Sequence, residues 1–533
     1  MKKYNVYKIL TIAILVTIVL SYFIPGTTIS YGSVEKGTIL PATFADTFIN
    51  GLTSFSAFMT ILIYVLVIGI FYAILKKSGK YETIVNNIAY GFKKNRSLFL
   101  VLVTLILSLV TMFTGEMYTL LIFVPLIISV IRKLGYTKET SILVTIGSLL
   151  IGNASALNSY YINQMLSVTI EDTILQRIVI FAVSIVFLLA FALIFDKKPE
   201  SVKELEKKKE KKLLPIYIML IIIFVMLVLG FVDWNTYFGF TGFDTFLQNI
   251  RSFQIANVSV FDIIIGTSSS IVPFGTWQVY HASILFMFAS IVIALINKIK
   301  INDLFESVAE GLKKSFPYAL IVILANIVLV NVFSSGIFYT IAMSITKTTV
   351  DMTTGTVTSL ISALVYPDYA YATQFTLTSI LNSAASDYET LISVLFQAVY
   401  SITLFVSPTS VLLLMALKYN NVSYKEWIKY IYKFFIVLLV TVLIVITFLV
   451  EQIDALSIIA LLLLIIALII MFYKKFFVNK LQNKTVKEET KVEIEEPKNV
   501  ETKKEVKKQT TKSATKTTAK KGTSSKSKAK SKK

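Results

Sequence analysis

Apolar positions along this chain come in long runs rather than in strict alternation, and the places where the runs break carry most of the information. The clearest case begins after Arg96. An apolar run from Leu98 to Phe113 stops at Thr114-Gly115-Glu116 and resumes from Tyr118 to Ile131. Each arm is shorter than the ~20 residues needed to cross a hydrocarbon core. Lys93, Lys94 and Arg96 precede the run, and Arg132, Lys133 and Lys138 follow it, which puts both open ends in the cytoplasm. The pattern predicts a re-entrant hairpin over 98–131 with its tip near the bilayer midplane. A helix over 140–165 comes next and breaks at Gly152-Asn153-Ala154-Ser155 before resuming through Tyr160. Backbone released inside a bilayer must bond to protein or water, so such breaks persist only where they line protein or a cavity.

The remaining pattern gives two halves. Ile9–Ile24 reads as an uncleaved first span, since Pro25-Gly26 comes after it instead of a small-residue cleavage site. Phe55–Leu75 is a span, Tyr81–Phe92 an amphipathic interfacial stretch, and Ile174–Phe195 the last crossing of the first half, residues 1–195. The charged segment 196–212 (DKKPESVKELEKKKEKK) is a cytoplasmic linker. The second half, 213–473, opens with a span at Leu214–Val232. Ile255–Gly275 fits either a span or a surface segment. His281–Ile296 is a span, Asn302–Lys314 an amphipathic stretch, and Pro317–Ile345 a long segment with breaks expected at Asn331 and Ser334-Ser335-Gly336. The opening theme then returns. Short apolar arms over 356–381 flank Pro367-Asp368, and a helix over 388–417 breaks at Ser407-Pro408-Thr409-Ser410. Gly115 to Asn153 is 38 positions and Asp368 to Pro408 is 40. The second copy ends in the lysine-rich 418–433, so the two copies have opposite orientations. Inverted repeats with breaks at matching places point to a binding site at the midplane. Phe434–Val450 and Leu456–Tyr473 complete the membrane part. The fold class expected is an all-α polytopic membrane protein with inverted repeats, each holding a re-entrant hairpin and a broken helix.

Composition agrees. The chain of 533 residues is 55% apolar, with a mean hydropathy of +0.73. Its charge of +20 is uneven: residues 474–533 hold 20 lysines against 7 glutamates. That lysine-, threonine- and serine-rich tail reads as disordered, drawn to anionic lipid headgroups. Specific nucleic-acid binding is not expected, because no aromatic residues interleave the lysines. Cysteine is absent and His281 is the single histidine. That argues against metal centres, thiol chemistry and a serine–histidine protease, and His281 itself, beside Trp277 and Tyr280, reads as interfacial. No phosphate-binding loop is present, which argues against self-contained ATP-driven transport. The protein is not expected to be an enzyme, and no cofactor is expected beyond Na⁺ as a coupling ion.

The candidate substrate-binding residues are Glu116, Asn153, Ser155, Asn158, Asp368, Ser407, Thr409 and Ser410. Half-helix N-termini suit carboxylates, while unwound carbonyls and hydroxyls suit a cation. For the hydroxyl and amide side chains the alternative is interhelical bonding. Glu116 sits at a hairpin tip, where a carboxylate is costly unless used. It would pair with a cationic group or carry a proton, or else cap the second arm. Asp368 holds the equivalent position.

Three stretches carry a resemblance: VLVIGIFYAILKKSGKYE (65–82), TGEMYTLLIFVPLIISVIRKLGY (114–136) and FQAVYSITLFVSPTSVLLLMALKYNNVSYKEWIKY (396–430). Over residues 5–450 the chain resembles the YfcC family of bacterial carriers. These belong to the ion transporter superfamily and are related to C4-dicarboxylate and basic amino acid antiporter groups. The resemblance implies a scaffold domain, a transport domain built from the hairpins and broken helices, a homodimer, and elevator motion. The chain departs from the family at the second tip, where PDYAYATQ (367–374) keeps only Pro367 and Gln374 of a serine- and glycine-rich sequence. It departs again at FQAVYSITL (396–404), where the family has a more polar run. The function expected is secondary active transport of a small polar metabolite, an amino acid (basic ones included) or a carboxylate, coupled to Na⁺ or H⁺ or by exchange. Its competitor is a non-transporting membrane receptor or assembly protein descended from a carrier. The location expected is the cell membrane, with the N-terminus and tail cytoplasmic.

Overall fold

The computed structural model describes residues 5–30, 33–157, 162, 165–195, 205–208, 210, 212–255, 258–264, 271–346, 351–381 and 389–450. All of them belong to the first of two compact units, Met1–Ile465 and Ile466–Lys533. The expected span at 456–473, the tail at 474–533 and most of the linker at 196–212 lie outside the described residues.

The protein is an all-α polytopic membrane protein. Among the described residues, seven helices are long and apolar enough to cross a membrane: Met59–Lys77, Arg96–Thr114, Ile174–Ile194, Leu213–Phe231, Val279–Ile296, Ile301–Ser335 and Tyr424–Val450. Strand among those residues is confined to two small antiparallel hairpins, 26–30 with 33–38 and 254–255 with 258–259.

The helices sort into two packed bodies that cut across the sequence halves. In the first, Met59–Lys77 packs against Ile301–Ser335 and Val279–Ile296, and Asn5–Ser21 and Phe44–Ala57 also pack on Ile301–Ser335. The central crossing depends on small residues. A Cβ on Gly311 would lie 2.6 Å from the Ile70 Cα, and one on Gly69 would lie 2.4 Å from the Ser315 Cβ. Lipid tails give little net drive for association, so close backbone approach supplies the packing that holds such helices together. Gly311→Val is therefore expected to lower thermal stability by the ~1–3 kcal/mol typical of overpacking. Unfolding of the purified variant followed by tryptophan fluorescence checks this, and an unchanged midpoint would refute the tight crossing.

In the second body, Arg96–Thr114 packs on Ser148–Ala154, Met352–Val365 packs on Glu389–Thr403, and the two broken helices pack on each other. Ile174–Ala190 and Tyr424–Val450 close it from outside. The same first-arm-on-broken-helix contact therefore occurs in both repeats.

Several expectations change. Asn302–Lys314 is not a separate amphipathic helix, and Asn331 does not break the segment after Pro317: Ile301–Ser335 is one helix of 35 residues running through that proline, and it ends within the expected Ser334-Ser335-Gly336 break. A proline removes only its own N–H and crowds one carbonyl. The buried face of Ser307, Gly311, Ser315, Ala319 and Val322 carries the helix across it. The chain turns at Gly336, whose φ of +64° is a glycine conformation. In Ile255–Gly275 the described residues include a short strand pair and the five-residue helix Val260–Ile264. The first hairpin arm also exceeds its expected length. At 19 residues, Arg96–Thr114 is about 28 Å long, because Arg96, Ser97 and Thr114 join the helix and Gly115 ends it. His281 is buried in the first turn of Val279–Ile296, where its Nδ1 accepts the Gln278 N–H at 2.9 Å and its ring stacks on Trp277.

Candidate functional site

The first hairpin is built by its tip. Gly115 takes φ +64° and its N–H returns to the Thr111 carbonyl at 2.9 Å, closing the helix. The half-buried Glu116 carboxylate accepts the Tyr118 N–H at 3.0 Å, and the Thr119 hydroxyl donates to the Glu116 carbonyl at 3.0 Å. The return arm is the short 3₁₀ turn Leu121–Phe123 and then Val124–Lys133, with Pro125 in its first turn. At the open end the Arg96 guanidinium donates to the Leu134 carbonyl at 3.3 Å, so the arms do start and finish together.

The second hairpin repeats this by other means. Met352–Val365 is capped by Asp351, which accepts the Thr354 N–H at 2.7 Å. Tyr366-Pro367 turns the chain. The half-buried Asp368 then caps the return arm Tyr369–Leu381 by accepting the Tyr371 N–H at 3.0 Å. Glu116 and Asp368 therefore hold equivalent places, each bonded to backbone just beyond its tip. The two carboxylates lie within electrostatic range of one another, with Tyr118 and Tyr400 in the same neighbourhood.

The broken helices approach each other behind these tips. In the first, a π-helical turn at Leu143–Gly147 separates Lys138–Ile142 from Ser148–Ala154, and the chain unwinds from Ser155. In the second, Glu389–Thr403 unwinds at 404–410 and resumes as Val411–Asn420. That break is longer than the four residues the sequence suggests. Its freed carbonyls find partners, since Trp427 Nε1 donates to the Phe405 carbonyl at 2.7 Å and the Tyr424 hydroxyl to that of Val406. Each break is pinned to the end of its own hairpin's first arm. The Leu157 N–H donates to the Met112 carbonyl at 2.9 Å; Ser407 Oγ donates to the Ala363 carbonyl at 2.7 Å and Thr409 Oγ1 to that of Leu364 at 3.2 Å.

Between the breaks lies a polar junction. Asn153 Nδ2 donates to Ser401 Oγ at 2.7 Å, and Gln397 Nε2 donates to the Asn153 carbonyl at 2.9 Å. Arg177, on Ile174–Ala190 and 1% exposed, reaches into the same place. Its Nη1 donates to the Ala156 carbonyl at 2.6 Å and to Gln397 Oε1, Nη2 donates to Ser393 Oγ at 2.9 Å, and Nε to Thr173 Oγ1 at 2.9 Å. Every one of these partners is neutral, and among the described residues no carboxylate forms an ion pair with it. Asn153 Oδ1 is buried with no hydrogen-bond partner among the described residues.

The expected site residues thus divide. Glu116 and Asp368 hold equivalent places at the two tips, each bonded to its own backbone, and Asn153 lies in the junction. The Ser155 hydroxyl donates to the Ile151 carbonyl at 2.8 Å within its own helix, while Ser407 and Thr409 are committed to the second hairpin. Ser410 is buried at the start of Val411–Asn420 without a side-chain capping bond. Asn158 lies outside the described residues. Arg177, Ser393, Gln397 and Ser401 are absent from the sequence-based set. An arginine inside an apolar span is itself the signal that would have found the first.

The family model of DcuC, the C4-dicarboxylate anaerobic carrier, matches residues 6–451. The chain belongs to that family. The match takes in both hairpins, both broken helices and Arg177, so the tips and the junction all lie inside the carrier domain. No curated protein matches the chain. Among solved structures, the YdaH transporter of Alcanivorax borkumensis is similar over 84% of this chain and 97% of that one, at 9% identity and a TM-score of 0.38. A DcuC-family member is a multi-pass membrane carrier, and the tips and junction are its candidate substrate region.

Proposed function

We propose that this chain is a secondary carrier for a small carboxylate, a C4-dicarboxylate by its family, bound between the hairpin tips and the junction of the broken helices. The observation that carries this reading is Arg177. A buried guanidinium bonded only to neutral acceptors is costly in a membrane protein unless an anion completes it. A substrate carboxylate supplies that anion, and the orphaned Asn153 Oδ1 is free to accept a hydrogen bond from a hydroxyl or to ligate a coupling cation. Glu116 and Asp368 then serve coupling, by taking protons or by sharing a Na⁺ ion, so that loaded and empty forms prefer different states. Met59–Lys77 and Ile301–Ser335 act as the scaffold past which the hairpin body moves. Basic loop ends put the N-terminus and tail in the cytoplasm. The YfcC-type motifs, a dimer and lipid attraction of the tail belong to the same reading.

The pair of tip carboxylates favours a second reading, an amino acid substrate. Its ammonium would sit between Glu116 and Asp368 and its carboxylate at Arg177.

Proteoliposomes separate the two readings. Labelled succinate, aspartate and lysine are supplied with a Na⁺ gradient, a pH gradient or neither. Succinate uptake without lysine uptake supports the first reading, and lysine uptake supports the second. No uptake of any carboxylate or amino acid by folded protein would favour a non-transporting descendant. Glu116→Gln keeps an acceptor for the Tyr118 N–H, so the tip should persist. It is expected to lower gradient-driven uptake about tenfold or more and to remove its pH dependence, an effect of at least ~1.4 kcal/mol on coupling. Wild-type uptake at every pH would remove Glu116 from the mechanism.

A further inference from the structure

Where the two bodies meet, at the end of Met59–Lys77 that carries its lysines, the structure holds a cavity of about 330 Å³. Val65 and Ile68 line it from the first body; Ile128 of the hairpin return arm and Met415 and Ala416 of Val411–Asn420 line it from the second. The lining runs along Met59–Lys77 from Val65 to Lys76, about 16 Å at the helical rise. Lys76 marks one extremity, and Lys314 from Ile301–Ser335 lies close enough to interact with it electrostatically. The cavity is therefore an elongated apolar slot with two ammonium groups at one end. A small dicarboxylate does not suit such walls, since its second charge would be left in an apolar environment.

We propose that this slot binds a single-chain fatty-acid-like amphiphile, its carboxylate between Lys76 and Lys314 and its chain along the Val65, Ile68, Ile128 and Met415 walls. Volume and charge both select this occupant. The size lies at the lower end of the ~300–1,000 Å³ typical of ligand pockets. At ~30 Å³ per water-sized group it takes roughly ten heavy groups, one medium-length chain and not the two chains of a phospholipid. Lys314 also pairs with Glu310 one turn back on the same helix. That pair is exposed, and exposed pairs are weak enough for an incoming carboxylate to compete. An amphiphile here touches both bodies at once, and it stabilises the arrangement in which the slot exists.

The test uses the full chain in phosphatidylcholine nanodiscs, with decanoate and decanol as probes and native mass spectrometry and calorimetry as readouts. One decanoate per chain is expected, with decanol about tenfold weaker. Lys76→Gln with Lys314→Gln, at two exposed positions that leave the core intact, should bring decanoate down to the decanol level. Ala416→Trp fills the slot and should abolish binding of both probes. Equal binding of decanol and decanoate to the wild type would overturn the proposal, as would decanoate binding that survives both substitutions. Displacement of decanoate by phosphatidylglycerol in the disc would also overturn it, in favour of a lipid chain.

Discussion

Arg177→Gln is expected to yield a folded protein whose carboxylate uptake has fallen roughly 10- to 100-fold. Hydrogen bonds to a charged group are worth about 1.5–3 kcal/mol, and each ~1.4 kcal/mol is a factor of ten, which sets that range. Glutamine offers one amide in place of the forked guanidinium. It can keep a bond to Gln397 Oε1 or to the Ala156 carbonyl but cannot bridge both together with Ser393. The fold should tolerate the change, because removing a buried charge that has no counter-ion among the described residues relieves desolvation, while three of its four acceptors lose this donor. These terms oppose each other, so the thermal midpoint should move little. Arg177→Lys keeps the charge without the fork and should fall between the two. Uptake per folded molecule in proteoliposomes, set beside unfolding midpoints, decides the matter. If Arg177→Gln unfolds easily but transports normally once folded, the arginine is a strut between the broken helices and not an anion site.

A larger structural loss is expected at Gly152. A Cβ there would lie 2.5 Å from the Ser108 carbonyl oxygen and 2.6 Å from the Thr111 Cβ, so the obstruction includes backbone of Arg96–Thr114 that has no rotamer to change. Gly152→Ala should cost the ~1–3 kcal/mol of overpacking or somewhat more, and Gly152→Leu should prevent the hairpin from seating on the broken helix at all. The Leu157–Met112 bond and the Asn153–Ser401 bond depend on that seating, so the candidate site would be lost with it. Yield of monodisperse protein and the unfolding midpoint measure the effect. A Gly152→Ala variant as stable as the wild type would mean that the two helices do not approach this closely.

The parts of this architecture visible in sequence are those where backbone chemistry leaves a local mark. Gly115 and Pro367-Asp368 interrupt apolar runs because a turn between helices needs a left-handed residue or a proline and a capping side chain. Ser407 marks a break for a related reason, since its hydroxyl accepts the Thr409 N–H at 3.2 Å. The junction is different, because it is assembled from residues far apart in the chain. Arg177 meets Ser393 and Gln397 across 216 and 220 positions, and no local pattern encodes that. The stretch 396–404 looks depleted of polar groups when it is compared with its family. Yet the polar residues it retains include Gln397 and Ser401, which touch Arg177 and Asn153. The hydroxyls of Ser407 and Thr409 show the converse, a conspicuous polar cluster whose bonds go to its own hairpin. Pro317 misleads because helix continuation there is decided by the helix's own buried face packing on Met59–Lys77, not by the proline.

The crossing of Met59–Lys77 with Ile301–Ser335 also has a consequence for how the chain is made. Gly69 waits for Gly311, about 240 residues downstream, or ~12–50 s of synthesis at 5–20 residues per second. Throughout that interval the small-residue groove of the earlier helix faces lipid with no permanent partner. That crossing therefore cannot close until Ile301–Ser335 has been made. An expressed first half should remain an open, chaperone- and protease-sensitive intermediate until the second half, supplied in the same chain or beside it, arrives to complete it.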